Sequence, residues 1–216
     1  MNLQYLIFDL DNTLYAKNTG MLKYIDQRID DFMREQLNLP LNQVATLRKE
    51  YWKTYGTTLG GMILRQRTNP EEYIKYAYNL DVKRFIRPDI RLREMLSQID
   101  GKKVVFSNSP YEYVVDVLRI LGIAEFFDKV YDIRFCDFLG KPNLTSYHKV
   151  LADLKVNPER CLFIDDVLVN VLGARQIGME TVWLTDELPR EGIQHCISEI
   201  YHLKVIIDAM AESQSA

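Results

Sequence analysis

Cysteine and histidine are scarce, with three of each in 216 residues. Cys136, Cys161 and Cys196 are far apart, and no two have metal-ligand spacing. They are expected to be reduced and to act as small apolar filler. His148, His195 and His202 lie in no motif, which argues against histidine-centred nucleophilic catalysis. No Gly-x-Ser-x-Gly elbow and no Gly-rich phosphate loop occurs. Charge of one sign is lacking too: Lys and Arg number 27 against 30 Asp and Glu, so nothing basic calls for nucleic acid or an anionic membrane. No stretch is long and apolar enough to span a bilayer. The chain starts straight into Leu3-Gln4-Tyr5-Leu6-Ile7-Phe8 without a basic region or cleavage site. No signal peptide is therefore expected, and the cytoplasm is the expected location.

What is present fits a globular protein. Hydrophobic residues make up 47% and charged residues 26%, which speaks against disorder except at the ends, such as the Ala-Glu-Ser-Gln-Ser-Ala tail. The length suits one sizeable domain, or one domain with a smaller insertion.

Short apolar runs at Tyr5–Phe8, Lys103–Phe106, Val130–Ile133, Cys161–Ile164 and Thr181–Leu184 read as buried strands of a parallel sheet. Helical patterns lie between most of them, at Tyr111–Leu121, Ser146–Leu154 and Val169–Ile177, with Gly122 and Gly178 as stops. This alternation predicts an α/β fold, a Rossmann-like doubly wound parallel sheet.

From Lys17 to Arg87 the alternation breaks. Leu22, Ile25, Ile29, Phe32 and Met33 follow a helical period, as do Val44, Leu47, Tyr51 and Tyr55, and then Tyr73, Ala77 and Leu80. Gly60-Gly61 and Pro70 punctuate the region. The expected organisation is a core of residues 1–16 and 88–216 with an all-helical cap at 17–87. Asn18–Gly20 and Arg87–Asp89 are candidate hinges.

Chemistry concentrates at predicted strand ends. Asp9-Leu10-Asp11-Asn12-Thr13-Leu14-Tyr15 follows the first strand. If the chain stays extended, Asp9 and Asp11 share a face and need a cation or proton between them. Mg²⁺, a hard ion with oxygen ligands, suits them. Ser107-Asn108 follows the second strand and can hold a phosphoryl oxygen. The Lys141 ammonium, before Pro142, is a natural phosphate partner. Asp165-Asp166 ends another strand, followed by Asn170 and Gly173-Ala174. Taken singly, a surface turn, an N-cap serine or a solvated lysine explains each feature. A second carboxylate pair in the same crevice calls for a cation.

The order Asp-x-Asp, Ser-Asn, Lys-Pro, Asp-Asp resembles the haloacid dehalogenase superfamily, mostly phosphohydrolases, from about Tyr5 to Leu184. The resemblance implies a Rossmann-like core with a helical cap inserted after the first motif. Asp11-Asn12-Thr13-Leu14-Tyr15 and the cap run from Tyr51 to Gly61 are similar to its pyrimidine 5′-nucleotidase-like branch. A histidine often found shortly after the Ser-Asn pair is absent, with Tyr111 and Tyr113 in that neighbourhood.

Together, residues and resemblance imply a Mg²⁺-dependent phosphomonoester hydrolase acting through an aspartyl-phosphate. Asp9 is its nucleophile and Asp11 its acid and base. Ser107, Asn108 and Lys141 would hold the phosphate. Asp9, the Asp11 carbonyl and Asp166 would ligate the metal, with Asp165 acting through water or a second layer of contacts. The expected partner is a small phosphomonoester, first a pyrimidine nucleoside 5′-monophosphate. A sugar phosphate, pyridoxal phosphate or a non-catalytic binding role are the alternatives. Tyr51, Tyr55 and Arg65 are nominated as cap contacts, against helix packing for the tyrosines. Asp11 argues against a dehalogenase, which lacks that second aspartate, and Asn12-Thr13 against a phosphomutase. The adjacent acidic pair comes last rather than first, which argues against a response-regulator-like domain.

Overall fold

The computed structural model describes residues 3–187, 190, 192–193 and 195–212. Its strands are β1 (Tyr5–Phe8), β2 (Lys102–Phe106), β3 (Lys129–Tyr131), β4 (Cys161–Asp165), β5 (Glu180–Leu184) and β6 (His195–Ile197). All pair in parallel, in the order β3-β2-β1-β4-β5-β6, which is the doubly wound Rossmann order. The central strands β1 and β4 are buried along their whole length, which is why they read as unbroken apolar runs.

Side chains alternate between two apolar layers, as a pleated strand requires. Leu6 and Phe8 join one layer with Val105, Leu162 and Ile164. Tyr5 and Ile7 join the other with Val104, Phe106 and Phe163. The helices are α1 (Met21–Leu37), α2 (Leu41–Tyr55), α3 (Thr58–Gln66), α4 (Pro70–Ala77), α5 (Ile90–Ser97), α6 (Tyr111–Leu121), α7 (Leu144–Leu154), α8 (Leu168–Gln176) and α9 (Leu203–Glu212). Val114 and Leu118 of α6 and Leu92 of α5 cover the first layer, while Tyr147 of α7 and Ala174 of α8 cover the second.

The segment from α1 to α4 holds no strand. Its apolar stripe, including Ile25, Phe32 and Tyr73, is continuous with the first layer. Asn18 and Thr19 belong to a short 3-10 turn, and Gly20 beyond it has φ +76°. Leu80 lies past the end of α4, outside the helix expected to contain it.

Gly60-Gly61 does not break the chain but sits inside α3. Thr57 caps that helix, its hydroxyl accepting from the Gly60 N–H at 2.9 Å. Gly61 is there for close approach: a Cβ would meet Tyr51 Cγ at 2.2 Å. Packing against α2 thus overrides the helix-breaking tendency of the pair.

Two further differences have local causes. β3 stops at Tyr131 rather than Ile133, because Asp132 turns its carboxylate to the N–H groups of Phe135 (2.9 Å) and Tyr111 (3.1 Å). β6 is a short edge strand that no apolar run announces. The tail expected to fray is helical through Glu212, and the rest of it lies outside the described residues. No described helix is long and apolar enough to cross a membrane.

Candidate active site

The sheet order reverses between β1 and β4, and open α/β sheets bind ligands at the carboxyl ends beside such a switch point. Phe8 of β1 pairs with Ile164 of β4, so Asp9 and Asp165 follow in step on neighbouring strands. The Asp9 N–H continues the ladder, donating to the Ile164 carbonyl at 2.9 Å.

Lys141 joins them from the chain between β3 and α7. Its Nζ donates to Asp9 Oδ1 at 2.7 Å and to Asp165 Oδ2 at 2.8 Å. The lysine is only 1% exposed, and its ammonium lies 5.2 Å and 5.4 Å from the ring centres of Phe106 and Phe163. Burial alone would lower its pKa; Asp165 and Asp9 outweigh that and hold it above the ordinary lysine value.

Asp165 is saturated. Oδ1 accepts from the Val167 N–H at 2.8 Å and from Asn170 Nδ2 at 3.1 Å. Oδ2 accepts from the same Asn170 amide at 3.0 Å and from Lys141. Among the described residues the Asp166 carboxylate has only Lys17, at 3.4 Å and itself exposed. Burial pushes both carboxyls up; Lys141 opposes it at Asp165, while Asp9 adds to it at Asp166.

Carboxylate oxygens of Asp9, Asp165 and Asp166 all lie within 4.8 Å of one another. Three carboxylates against one buried ammonium leave an excess of negative charge, and the donors are hard oxygens. That set fits Mg²⁺. Asp166, less committed to protein donors, is the freer of the two to take a cation, and Asp165 is the one held by its neighbours.

The Asp11 side chain is not one of these three and has its own partners. Extended backbone ends at Phe8, and a turn follows, closed by the Leu14 N–H on the Leu10 carbonyl at 2.9 Å, with Asn12 at φ +61°. Both aspartates still reach one cavity, by way of this turn rather than along extended chain. Asp11 Oδ1 accepts from the Tyr15 hydroxyl at 2.5 Å and the Tyr113 hydroxyl at 2.8 Å. Its Oδ2 accepts from Ser109 Oγ at 2.6 Å. Burial, and then Asp9, push the Asp11 carboxyl up, and the three hydroxyls pull against them.

Ser107 is buried, and its Oγ accepts from the Ser109 N–H at 3.0 Å. Asn108 lines the cavity of the site and also holds the Lys141 backbone. Its Nδ2 donates to the Lys141 carbonyl at 2.9 Å, and its Oδ1 accepts from the Lys141 N–H at 2.7 Å. The amide keeps a second N–H, so this clamp is compatible with the phosphate-binding role expected of Asn108.

Asp9, Asp11, Lys141 and Asp166 open onto one cavity of about 360 Å³, the size of a small-metabolite site. Its far wall comes from α1, α2 and the α2–α3 junction, with Ile25, Arg48, Trp52 and Thr58. Arg48 is paired there with Asp26 and, at 3.0 Å, with Asp30. Tyr51, Tyr55 and Arg65 do not line it. The Tyr51 ring turns into the helix interface, where its hydroxyl accepts from Gln66 Nε2 at 2.7 Å and its ring packs edge-on against Tyr55. Trp52, next in sequence and half exposed, faces the cavity instead. A helix turns about 100° per residue, so a nomination one position off lands on another face.

Sequence reading missed the hydroxyls around Asp11. Tyr15 lies four residues along in the first motif and Ser109 two beyond Ser107, but Tyr113 approaches from another helix.

A family profile of haloacid dehalogenase-like hydrolases matches residues 3–178. The chain belongs to that family of hydrolases. Phosphate metabolism protein 8 of Saccharomyces cerevisiae is 27% identical over 192 residues, 80% of this chain but only 58% of the yeast protein. A glyceraldehyde 3-phosphate phosphatase of Pyrococcus abyssi is also 27% identical, over 84% of this chain and 81% of its own length. The crystal structure of a HAD phosphatase from Thermococcus onnurineus shares the fold with a TM-score of 0.63 at 19% identity, over 95% of this chain and 98% of that one.

Proposed function

We propose that the chain is a Mg²⁺-dependent phosphomonoester hydrolase that works through an aspartyl-phosphate on Asp9. The observation that carries this is the buried Lys141 between Asp9 and Asp165, with Asp166 close enough to complete a cation site. Lys141 takes Asp9 Oδ1, while Asp9 Oδ2 has no hydrogen bond among the described residues, so that oxygen is the attacking one.

Asp9 Oδ2 forms a bond to phosphorus as the bond from phosphorus to the leaving oxygen breaks. Asp11 donates its proton to that oxygen. As a carboxylate it then takes a proton from the water that attacks the acyl phosphate, releasing inorganic phosphate and restoring Asp9. Lys141 stabilises the phosphoryl oxygens and holds Asp9 in place, and the Ser107 hydroxyl donates to the phosphoryl group. Mg²⁺ held by Asp9, Asp166 and the Asp11 carbonyl would neutralise charge developing on the transferred group.

Residues 17–87 act as a cap over residues 1–16 and 88–216, and the cap wall chooses the substrate. A small phosphorylated metabolite fits the cavity, and a pyrimidine nucleoside 5′-monophosphate is the substrate placed first, with Trp52 available to a planar ring. The Pyrococcus relative, named for a triose phosphate, supports sugar phosphates as the second reading. Three free thiols suit a reducing compartment such as the cytoplasm.

The experiment is phosphate release from UMP, CMP, AMP, pyridoxal phosphate, glyceraldehyde 3-phosphate and ribose 5-phosphate, with and without Mg²⁺, for the wild type and Asp9→Asn. Mg²⁺-dependent release that Asp9→Asn abolishes is expected. Release by Asp9→Asn at the wild-type rate would remove Asp9 as the nucleophile.

A further inference from the structure

The Asp11 carboxylate receives three hydroxyl donors from three parts of the chain: Tyr15 after β1, Ser109 after β2 and Tyr113 on α6. The Tyr15 and Tyr113 oxygens are themselves 3.0 Å apart. No ion pair from Lys, Arg or His reaches Asp11 among the described residues. Asp11 and Ser109 line the cavity, while Tyr15 and Tyr113 stand behind them. A fourth hydroxyl, Tyr78 just past α4, lies 3.3 Å from Ser109 Oγ, and its ring packs on Tyr113 with centroids 5.2 Å apart.

A carboxylate carrying a lysine or arginine partner would be fixed as a base. Hydroxyls behave differently. Each can donate to the ionised carboxylate and accept from the protonated one, so the cradle holds Asp11 in one place through both halves of a proton cycle. Proton transfer is efficient only when donor and acceptor are within hydrogen-bond reach. Misplacement of a catalytic group by about an ångström can cost on the order of a hundredfold.

We propose that Ser109, Tyr113 and Tyr15 are positioning residues that aim Asp11 at the leaving oxygen, and that Tyr78 ties this aim to the helical segment above it. The proposal rests on the phosphohydrolase reading. In the step it serves, the phosphorus–oxygen bond breaks, its electrons go to the leaving oxygen, and the Asp11 proton follows them. The hydroxyls end with the protons they began with.

The test uses the dependence on leaving group. p-Nitrophenolate departs with little need of a proton; phenolate and alkoxides need one. The kcat/KM for p-nitrophenyl, phenyl and glycerol phosphates is measured for the wild type, Asp11→Asn, Tyr113→Phe, Ser109→Ala, Ser109→Thr and Tyr78→Phe. Asp11→Asn is expected to lose about 10²–10⁴-fold on phenyl and glycerol phosphates, the usual weight of general acid catalysis. Tyr113→Phe and Ser109→Ala should lose roughly tenfold there and about twofold on p-nitrophenyl phosphate, a fraction of the same effect. Tyr78→Phe should follow in the same direction, and Ser109→Thr, which keeps the hydroxyl, should recover most of the loss.

If Asp11→Asn steepens the dependence while Tyr113→Phe and Ser109→Ala lower all three substrates equally, the cradle is only structural and the proposal fails alone. If Asp11→Asn itself shows no dependence on leaving group, Asp11 is not the acid, and the proposal falls with that part of the mechanism.

Discussion

Asn108 clamps the main chain of Lys141 with both ends of its amide, Nδ2 on the carbonyl at 2.9 Å and Oδ1 on the N–H at 2.7 Å. The clamp crosses from the end of β2 to the loop that carries the lysine. It fixes where the ammonium enters between Asp9 and Asp165. Asn108→Ala leaves a partly buried N–H and carbonyl without partners, at about 1–3 kcal/mol each. The expected result is a lower thermal midpoint together with a fall in kcat that added phosphate ester does not restore. A fall confined to KM would assign Asn108 to ligand binding instead.

The carboxylate cluster sets a pH dependence of stability. Burial, then Asp9, raise the Asp166 carboxyl from 3.8 to about 6. A raised folded value means that ionisation is penalised in the folded protein. The stability is therefore fully present below 3.8 and is lost as pH rises through about 6, by up to about 3 kcal/mol for this group. A bound divalent cation removes the penalty. The thermal midpoint in EDTA should fall over that window, and Mg²⁺ should raise it more at about pH 8 than at about pH 5. Equal Mg²⁺ shifts at both pH values would count against a cation held by these carboxylates.

Gly61 is the contact point of α2 and α3. A methyl group there would lie 2.2 Å from Tyr51 Cγ, and Tyr51 is a buried ring with a bonded hydroxyl. Gly61→Ala is expected to destabilise by about 1–3 kcal/mol through overpacking, despite the better helix propensity of alanine. Urea denaturation measures it, and a neutral or stabilising effect would show that the interface can part freely.

The cavity wall separates specificity from chemistry. Trp52→Ala should change the ratio of kcat/KM between UMP and ribose 5-phosphate by about tenfold, within the range that one large apolar contact provides. Arg65→Ala, on the exposed side of α3, should leave that ratio within about twofold. The same substrate panel reads both, and a larger effect from Arg65 would restore it as a contact.

The sequence by itself determined the strands β1 to β5 and marked the aspartates at their ends. A parallel strand buried on both faces is apolar along its length, so Tyr5–Phe8 and Cys161–Ile164 announce themselves and the aspartates that follow them stand out. The helical stripe from Ile25 to Met33 was equally legible, because one buried face imposes its period. Tertiary structure alone decided the rest. The Asp11 cradle brings Tyr15 together with residues 98 and 102 positions away from Asp11, and no local pattern encodes such a meeting. Gly61 reads as a breaker until Tyr51 is seen against it. Tyr51 and Trp52 differ by one position, and only the packing of α2 on α3 settles which ring is buried and which faces the cavity. Local apolar periodicity fixes elements, because burial of a face is repeated along the chain; the aim of a single polar side chain is set by neighbours that only folding supplies.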